Sequence, residues 1–222
     1  MSFAFSLFGQ VERVKNQPYA DLKRYHLGFH IGFHFQDMIL NNTGVTTGGQ
    51  TWFAEIPSYS PGFSVGVIGD MYLSQYFNIR VIPTIDFGDK KVTFIEQASG
   101  DTQDAVVRSN YLTLPVQLKY SALRLNNVRP YIAAGVYGAL DLGRKKGNEL
   151  LLKPYDYGVE LSLGCTIYFT FFRLSPELKF RFGLTDILEH DRVDLDVPDM
   201  LKYTQALSKA TSRMITLTFN FE

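Results

Sequence analysis

The chain has 222 residues, 45% of them apolar and 20% charged, with Lys plus Arg equal to Asp plus Glu at 22 each. That apolar content excludes a disordered chain, and the neutral balance excludes the basic face that nucleic acid requires. The single cysteine, Cys165, excludes an intrachain disulfide, and no Cys/His spacing suits zinc.

Residues 1–10, Met1-Ser-Phe-Ala-Phe-Ser-Leu-Phe-Gly-Gln10, read as the remnant of a signal peptide without its basic n-region. Residues 11–23 are expected to be a short, exposed periplasmic segment, and residues 24–222 a single domain. No run of roughly 18 apolar residues occurs, so no transmembrane helix is expected; a closed barrel is the other structure that satisfies the backbone in lipid.

From Tyr25 the chain has period two, the alternation of a strand with one apolar face. Leu27, Phe29, Ile31, Phe33 and Phe35 alternate with His26, Gly28, His30, Gly32 and His34. Seven further apolar sets follow in order, at Phe63–Leu73, Phe77–Phe87, Leu112–Tyr120, Ile132–Leu140, Tyr157–Ile167, Leu174–Leu184 and Ile215–Phe221. Each is about ten residues, the length of a tilted strand crossing a bilayer. Short links near Ser74–Tyr76, Ala122–Arg129 and Thr170–Phe172 alternate with long ones at Met38–Pro61, Gly88–Ser109, Leu142–Tyr155 and Thr185–Thr211.

The pattern predicts an all-β, eight-stranded antiparallel transmembrane β-barrel of the outer-membrane type, with both termini on the short-turn, periplasmic side. The second face is Gly, Ser, Thr, His and Tyr with a moderate number of charges. A soluble barrel would present dense Lys and Glu there. Tyr76-Phe77, Tyr120, Tyr131 and Tyr168-Phe169 are expected in an interfacial aromatic girdle. Pro83, Pro115 and Pro176 fall inside strands, where each removes a ladder donor, so local bulges are expected.

The inward polar residues form the first candidate site: His26, His30, His34, Arg80, Lys119, Glu160, Glu177, Lys179 and Arg181. Successive histidines four residues apart on a strand are about 13 Å from each other, too far to share a metal ion. The charges nearly balance, which predicts a salt-bridged interior. The last long link carries Glu189-His190-Asp191 with Asp194, Asp196 and Asp199. A His among carboxylates at a barrel mouth is the arrangement of a general acid/base, though no nucleophile accompanies it. Phosphate-binding glycine loops, Gly-x-Ser-x-Gly elbows and His-Glu-x-x-His motifs are absent, so neither cofactor nor metal is expected.

Several segments resemble the PorT family of Bacteroidetes, associated with type IX protein secretion and gliding. They are Arg24-Tyr-His-Leu-Gly-Phe-His30, Gly62-Phe-Ser-Val-Gly66, Tyr76-Phe-Asn-Ile-Arg80 with Pro83-Thr84, and Leu114-Pro-Val-Gln-Leu-Lys-Tyr120. They continue with Asn126-Asn-Val-Arg-Pro-Tyr131, residues 156–164 and Pro176-Glu-Leu-Lys-Phe180. The resemblance implies an integral outer-membrane component or assembly factor needed to export cargo with C-terminal sorting signals, and not an enzyme. Its expected partners are outer-membrane lipids and other secretion proteins. Many outer-membrane barrels end on an aromatic residue, whereas here Phe221 precedes Glu222. Eight strands leave an interior that side chains fill, so action through the rims is expected. Arg24, Asn126, Asn127 and Arg129 are the candidate periplasmic contacts. Two alternatives stand beside this: a barrel enzyme acting on lipid A or peptides through the His190 link, and a passive structural barrel.

Overall fold

The structure, a computed structural model, describes residues 15–42, 46–47, 50–55, 60–96, 102–143, 152–189 and 207–222. Among these the alternation becomes strands: β1 (Tyr25–Asn42), β2 (Thr46–Thr47), β3 (Gln50–Glu55), β4 (Ser60–Tyr72), β5 (Phe77–Val81) and β6 (Thr84–Glu96). Then come β7 (Thr102–Arg108), β8 (Tyr111–Ser121), β9 (Val128–Asp141), β10 (Tyr155–Tyr168), β11 (Arg173–Gly183) and β12 (Leu207–Phe221). All their pairings are antiparallel, and β1 pairs with both β4 and β12, which closes the sheet. β5 and β6 lie end to end between β4 and β8. The ring is therefore eight strands around: β1, β4, β5 with β6, β8, β9, β10, β11 and β12.

The register fixes its shape. Tyr25 lies opposite Met71, Met71 opposite Ile79, and the path continues through Leu118, Ala134, Leu161, Phe180 and Ile215 to Phe35. One circuit thus returns to β1 ten residues further on. With about 3.3 Å per residue and about 4.8 Å between strands, that stagger tilts the strands about 40°, within the usual range for barrels. Every residue on this path is apolar, and the path lies on the outside. Leu27, Phe29, Ile31, Phe33 and Phe35 are 44–79% exposed, whereas His26, His30 and His34 between them are at most 8% exposed. An apolar exterior around a polar interior is a surface made for hydrocarbon rather than water.

The proline bulges do not form. β5 and β6 keep one register against β4 and against β8 across Ile82 and Pro83. At Pro115 a side chain supplies the missing hydrogen bond instead. Ile82 N–H donates to Pro115 O at 3.1 Å, and Pro115 has no N–H to return. The Thr84 hydroxyl donates to Ile82 O at 2.8 Å in its place. Beside Pro176 the β10–β11 ladder opens between Gly164–Glu177 and Ile167–Leu174, and Ser175 Oγ bonds Thr166 Oγ1 across the gap at 2.9 Å.

Three of the expected long links are partly strand. β1 runs on to Asn42, β12 begins at Leu207, and β6 with β7 fills most of the link after Gly88. The register of β5 and β6 with β7 and β8 is unbroken from Phe77–Tyr120 to Ile95–Thr102. That hairpin is about 60 Å long at about 3.3 Å per residue. At this tilt it rises well past an apolar band of about 25 Å. Asp89, Lys90 and Lys91 break the alternation there because the strand has left the apolar zone. The girdle is also smaller than expected. Tyr76, Phe77 and Tyr120 cluster outside, with ring centroids 5.2–6.1 Å apart, but Tyr131 and Tyr168 turn inward and are 4% and 2% exposed.

Candidate functional site

Moving one residue along β1 turns the circuit to the inside. There the register neighbours are His26, Asp70, Arg80, Gln117, Gly135, Glu160 and Arg181. Alternation has placed charges of both signs on one oblique turn of the lumen. Glu177 sits at the centre of the network. One carboxylate oxygen accepts from Arg80 Nη1 at 2.9 Å, Tyr131 Oη at 2.6 Å and Asn220 Nδ2 at 2.8 Å. The other lies 3.8 Å from Lys179 Nζ. Arg80 also faces Asp70 and Glu222, each at 3.6 Å, and Arg173 holds Glu222 at 2.7 Å. Asp70 is shared further with Lys119 and His26, at 3.8 Å each. A second knot joins Arg181 to Asp86 at 2.6 Å and to Glu160, which also accepts from Gln117.

Five cations and five carboxylates meet in these contacts, so this network is itself close to neutral. Buried charges require that pairing. The packing is equally close. Tyr131 lies opposite Gly164 in register and Tyr137 opposite Gly158. A Cβ at either glycine would run into the facing ring. His30 and His34 cover Gly66 and Gly62 in the same way. Between these side chains, cavities of about 30 and 20 Å³ are found among the described residues, the size of one or two water molecules. Among the described residues the lumen is filled at this level.

The short-turn end is covered as well. Residues 15–24 lie across the mouth, where Ala20 is buried while Lys15, Pro18, Tyr19, Leu22, Lys23 and Arg24 remain exposed. Gln17 has a left-handed backbone, φ 48°, and leads into a 3₁₀ turn at Ala20–Leu22. His26 Nε2 pairs with Ala20 O at 2.7 Å. Asn16 N–H donates to Asn127 Oδ1 at 2.8 Å, and the Asn16 and Gln17 side-chain amides donate to Tyr168 O and Phe169 O, each at 3.0 Å. Arg124 donates to Asn16 O and Gln17 O and stacks its guanidinium 3.7 Å from the centre of the Tyr168 ring. Asp21 is held by Arg129 at 3.1 Å, Arg124 at 3.8 Å and the Tyr168 hydroxyl.

The structure brings Arg80, Glu177 and Lys179 together, and Glu160 with Arg181; Lys119 and His26 join them through Asp70. His30 and His34 line the wall, His34 bonded to Gln36 at 2.9 Å. No group of three metal-ligating side chains occurs among the described residues. At the rim, Asn127 and Arg129 bond the chain's own segment. Asn126 takes φ 54° in the two-residue turn between Leu125 and Val128, a conformation asparagine tolerates. Arg24 is exposed beside Tyr25, and its carbonyl accepts from Tyr72 N–H at 2.9 Å. His190 and the aspartates after it lie outside the described residues. Sequence reasoning missed Arg124, Asp21 and Tyr168 as a rim cluster, and Tyr131, Asn220 and Glu222 as partners of the lumen charges. The inward parity of Tyr131 and Asn220 was the available signal; nothing local joins Asp21 to residues more than a hundred positions away.

The family model described as "Outer membrane protein beta-barrel domain" matches residues 8–189, and the chain belongs to that family. No curated protein matches it. Among solved structures, OprG of Pseudomonas aeruginosa is 10% identical, with 89% of this chain and 93% of that one covered and a TM-score of 0.51. AlkL, determined in DMPC bilayers, is 12% identical over 100% and 97% of the two chains, with a TM-score of 0.43. Ail of Yersinia pestis is 9% identical over 90% and 99%, with a TM-score of 0.39. At such identities the likeness to OprG is one of fold. Family and fold together place the chain in the bacterial outer membrane.

Proposed function

We propose that this outer-membrane barrel is a component or assembly factor of the type IX protein secretion system, and that it works through its rim rather than as the pore. The observation that carries the second part is the filled lumen: Arg80, Glu177 and Lys179 are at most 1% exposed. Eight strands packed in this way leave no passage for a protein. The first part rests on the PorT-like segments, several of which fall at the short-turn rim, including residues 24–30 and 126–131. On this reading the short-turn end and both termini are periplasmic, the partners are outer-membrane lipids and other secretion proteins, and the protein has no catalytic role of its own.

The test is export by living cells. Arg129 binds the turn carbonyls of Gln75 and Ala122 as well as Asp21, so Arg129→Glu disrupts the rim and leaves the lumen pairs untouched. Cargo with C-terminal sorting signals should then accumulate inside the cell while the amount of heat-modifiable, folded barrel is unchanged. Normal export with that variant would count against a working rim. Normal export after deletion of the whole chain would leave a passive structural barrel.

A further inference from the structure

The groups that grip residues 15–24 are held in place by the barrel, independently of what they grip. Arg129 donates through Nε to Ala122 O at 2.9 Å and through Nη2 to Gln75 O at 2.5 Å, which ties it to two turns and leaves Nη1 aimed at the mouth. Arg124 donates through Nε to Asn126 O at 2.8 Å and through Nη2 to Asn127 Oδ1 at 3.0 Å, and Tyr168 supports its flat face. Two guanidinium groups fixed by their own rim form a preorganised carboxylate and carbonyl receptor.

What occupies that receptor is recognised through its main chain and its side chains together. The contacts are Asn16 N–H, Asn16 O and Gln17 O, two side-chain amides on the carbonyls of Tyr168 and Phe169, and the Asp21 carboxylate. Recognition of this kind demands a backbone shape, two side-chain amides and one negative charge. The occupant fits at a cost, because Gln17 sits at φ 48°, where a side chain with a Cβ is disfavoured. A groove of about 490 Å³ runs beside it, lined by Lys15, Leu22, Tyr72, Leu123, Arg124 and Arg129. The mouth therefore has room for more chain than it holds.

We propose that the short-turn rim is a peptide-binding site, occupied in cis by residues 16–21. Its ligand in trans is a segment of another protein that presents a carboxylate four residues after a pair of main-chain carbonyls. The assignment of that protein to the periplasm rests on the orientation given under the proposed function; the binding site itself does not. The cis segment joins directly to β1, so its effective concentration is high and it masks the site until displaced.

The test uses the full chain folded in detergent micelles and a fluorescent synthetic peptide of residues 15–24. Asp21→Asn in the chain weakens the cis occupant, and this variant should bind the peptide roughly tenfold or more tightly than the unaltered chain does. A peptide carrying Asp21→Asn should bind neither protein. Arg124→Ala with Arg129→Ala in the Asp21→Asn chain should abolish binding. If Asp21→Asn does not fold, as read by heat-modifiable mobility, Gln17→Pro replaces it, since proline cannot adopt φ 48°. Equal binding by the unlatched and unaltered chains would overturn the proposal, as would indifference to the peptide's carboxylate. Displacement by vesicles of anionic phospholipid but not by peptide would make this a lipid headgroup site instead. Peptide binding is read in micelles and cargo export in cells, so each can fail without the other.

Discussion

Replacing Glu177 with Gln would leave Arg80 and Lys179, both almost wholly enclosed, without the carboxylate they share. Removing one partner of a buried pair is far worse than never having had the pair, because the remaining charge stays desolvated. Glu177→Gln should therefore lower the stability of the barrel in lipid vesicles by about 3–5 kcal/mol in urea unfolding; a loss below about 1 kcal/mol would mean that the contacts around Arg80 make Glu177 dispensable. That Arg80, Glu177 and Lys179 point inward could be read from their parity along strands alone. Which of them meet could not. Parity gives the face, whereas the meeting of Arg80 with Glu177, 97 positions apart, depends on the stagger of four intervening pairings. Asp21 and Arg129 show the same limit more sharply, since residues 15–24 carry no periodic signal and Asp21 is placed by rim residues more than a hundred positions away.

At the scale of the strand, alternation was a good guide wherever both faces had a constant environment. β1, β8 and β11 sit in lipid on one side and in the filled lumen on the other, and their patterns were legible over most of their length. The hairpin of β6 and β7 was not legible past Gly88, because beyond the bilayer neither face needs to be apolar while the backbone ladder continues. The prolines misled in the opposite sense. A missing donor need not produce a bulge when a neighbouring hydroxyl can serve, as Thr84 does for Ile82 O beside Pro115. This gives a double-mutant cycle. Thr84→Val alone should destabilise the barrel by about 1–3 kcal/mol, the penalty of a buried carbonyl left unpaired. In a Pro115→Val background, where a backbone N–H is restored, the same change should have almost no effect in urea unfolding. Equal losses in both backgrounds would show that the hydroxyl does not stand in for the missing donor.

At the scale of the whole molecule, three features act together. The ring closes with a ten-residue stagger, its lumen is packed with paired charges and rings set on glycines, and residues 15–24 cross the short-turn mouth. Near the opposite end Leu152, Ile187, Leu188 and Ala210 are nearly enclosed and joined through the backbone, Leu152 bridging Leu188 and Ile187 N–H donating to Ala210 O at 2.9 Å. A molecule built in this way is a rigid post in the membrane, and on the proposed function its rims are its working surfaces. Single-channel recording on the purified chain in a planar bilayer tests that account most directly. It predicts stable insertion with no current steps; a steady ohmic conductance would contradict a filled lumen, and with it the case for the rim.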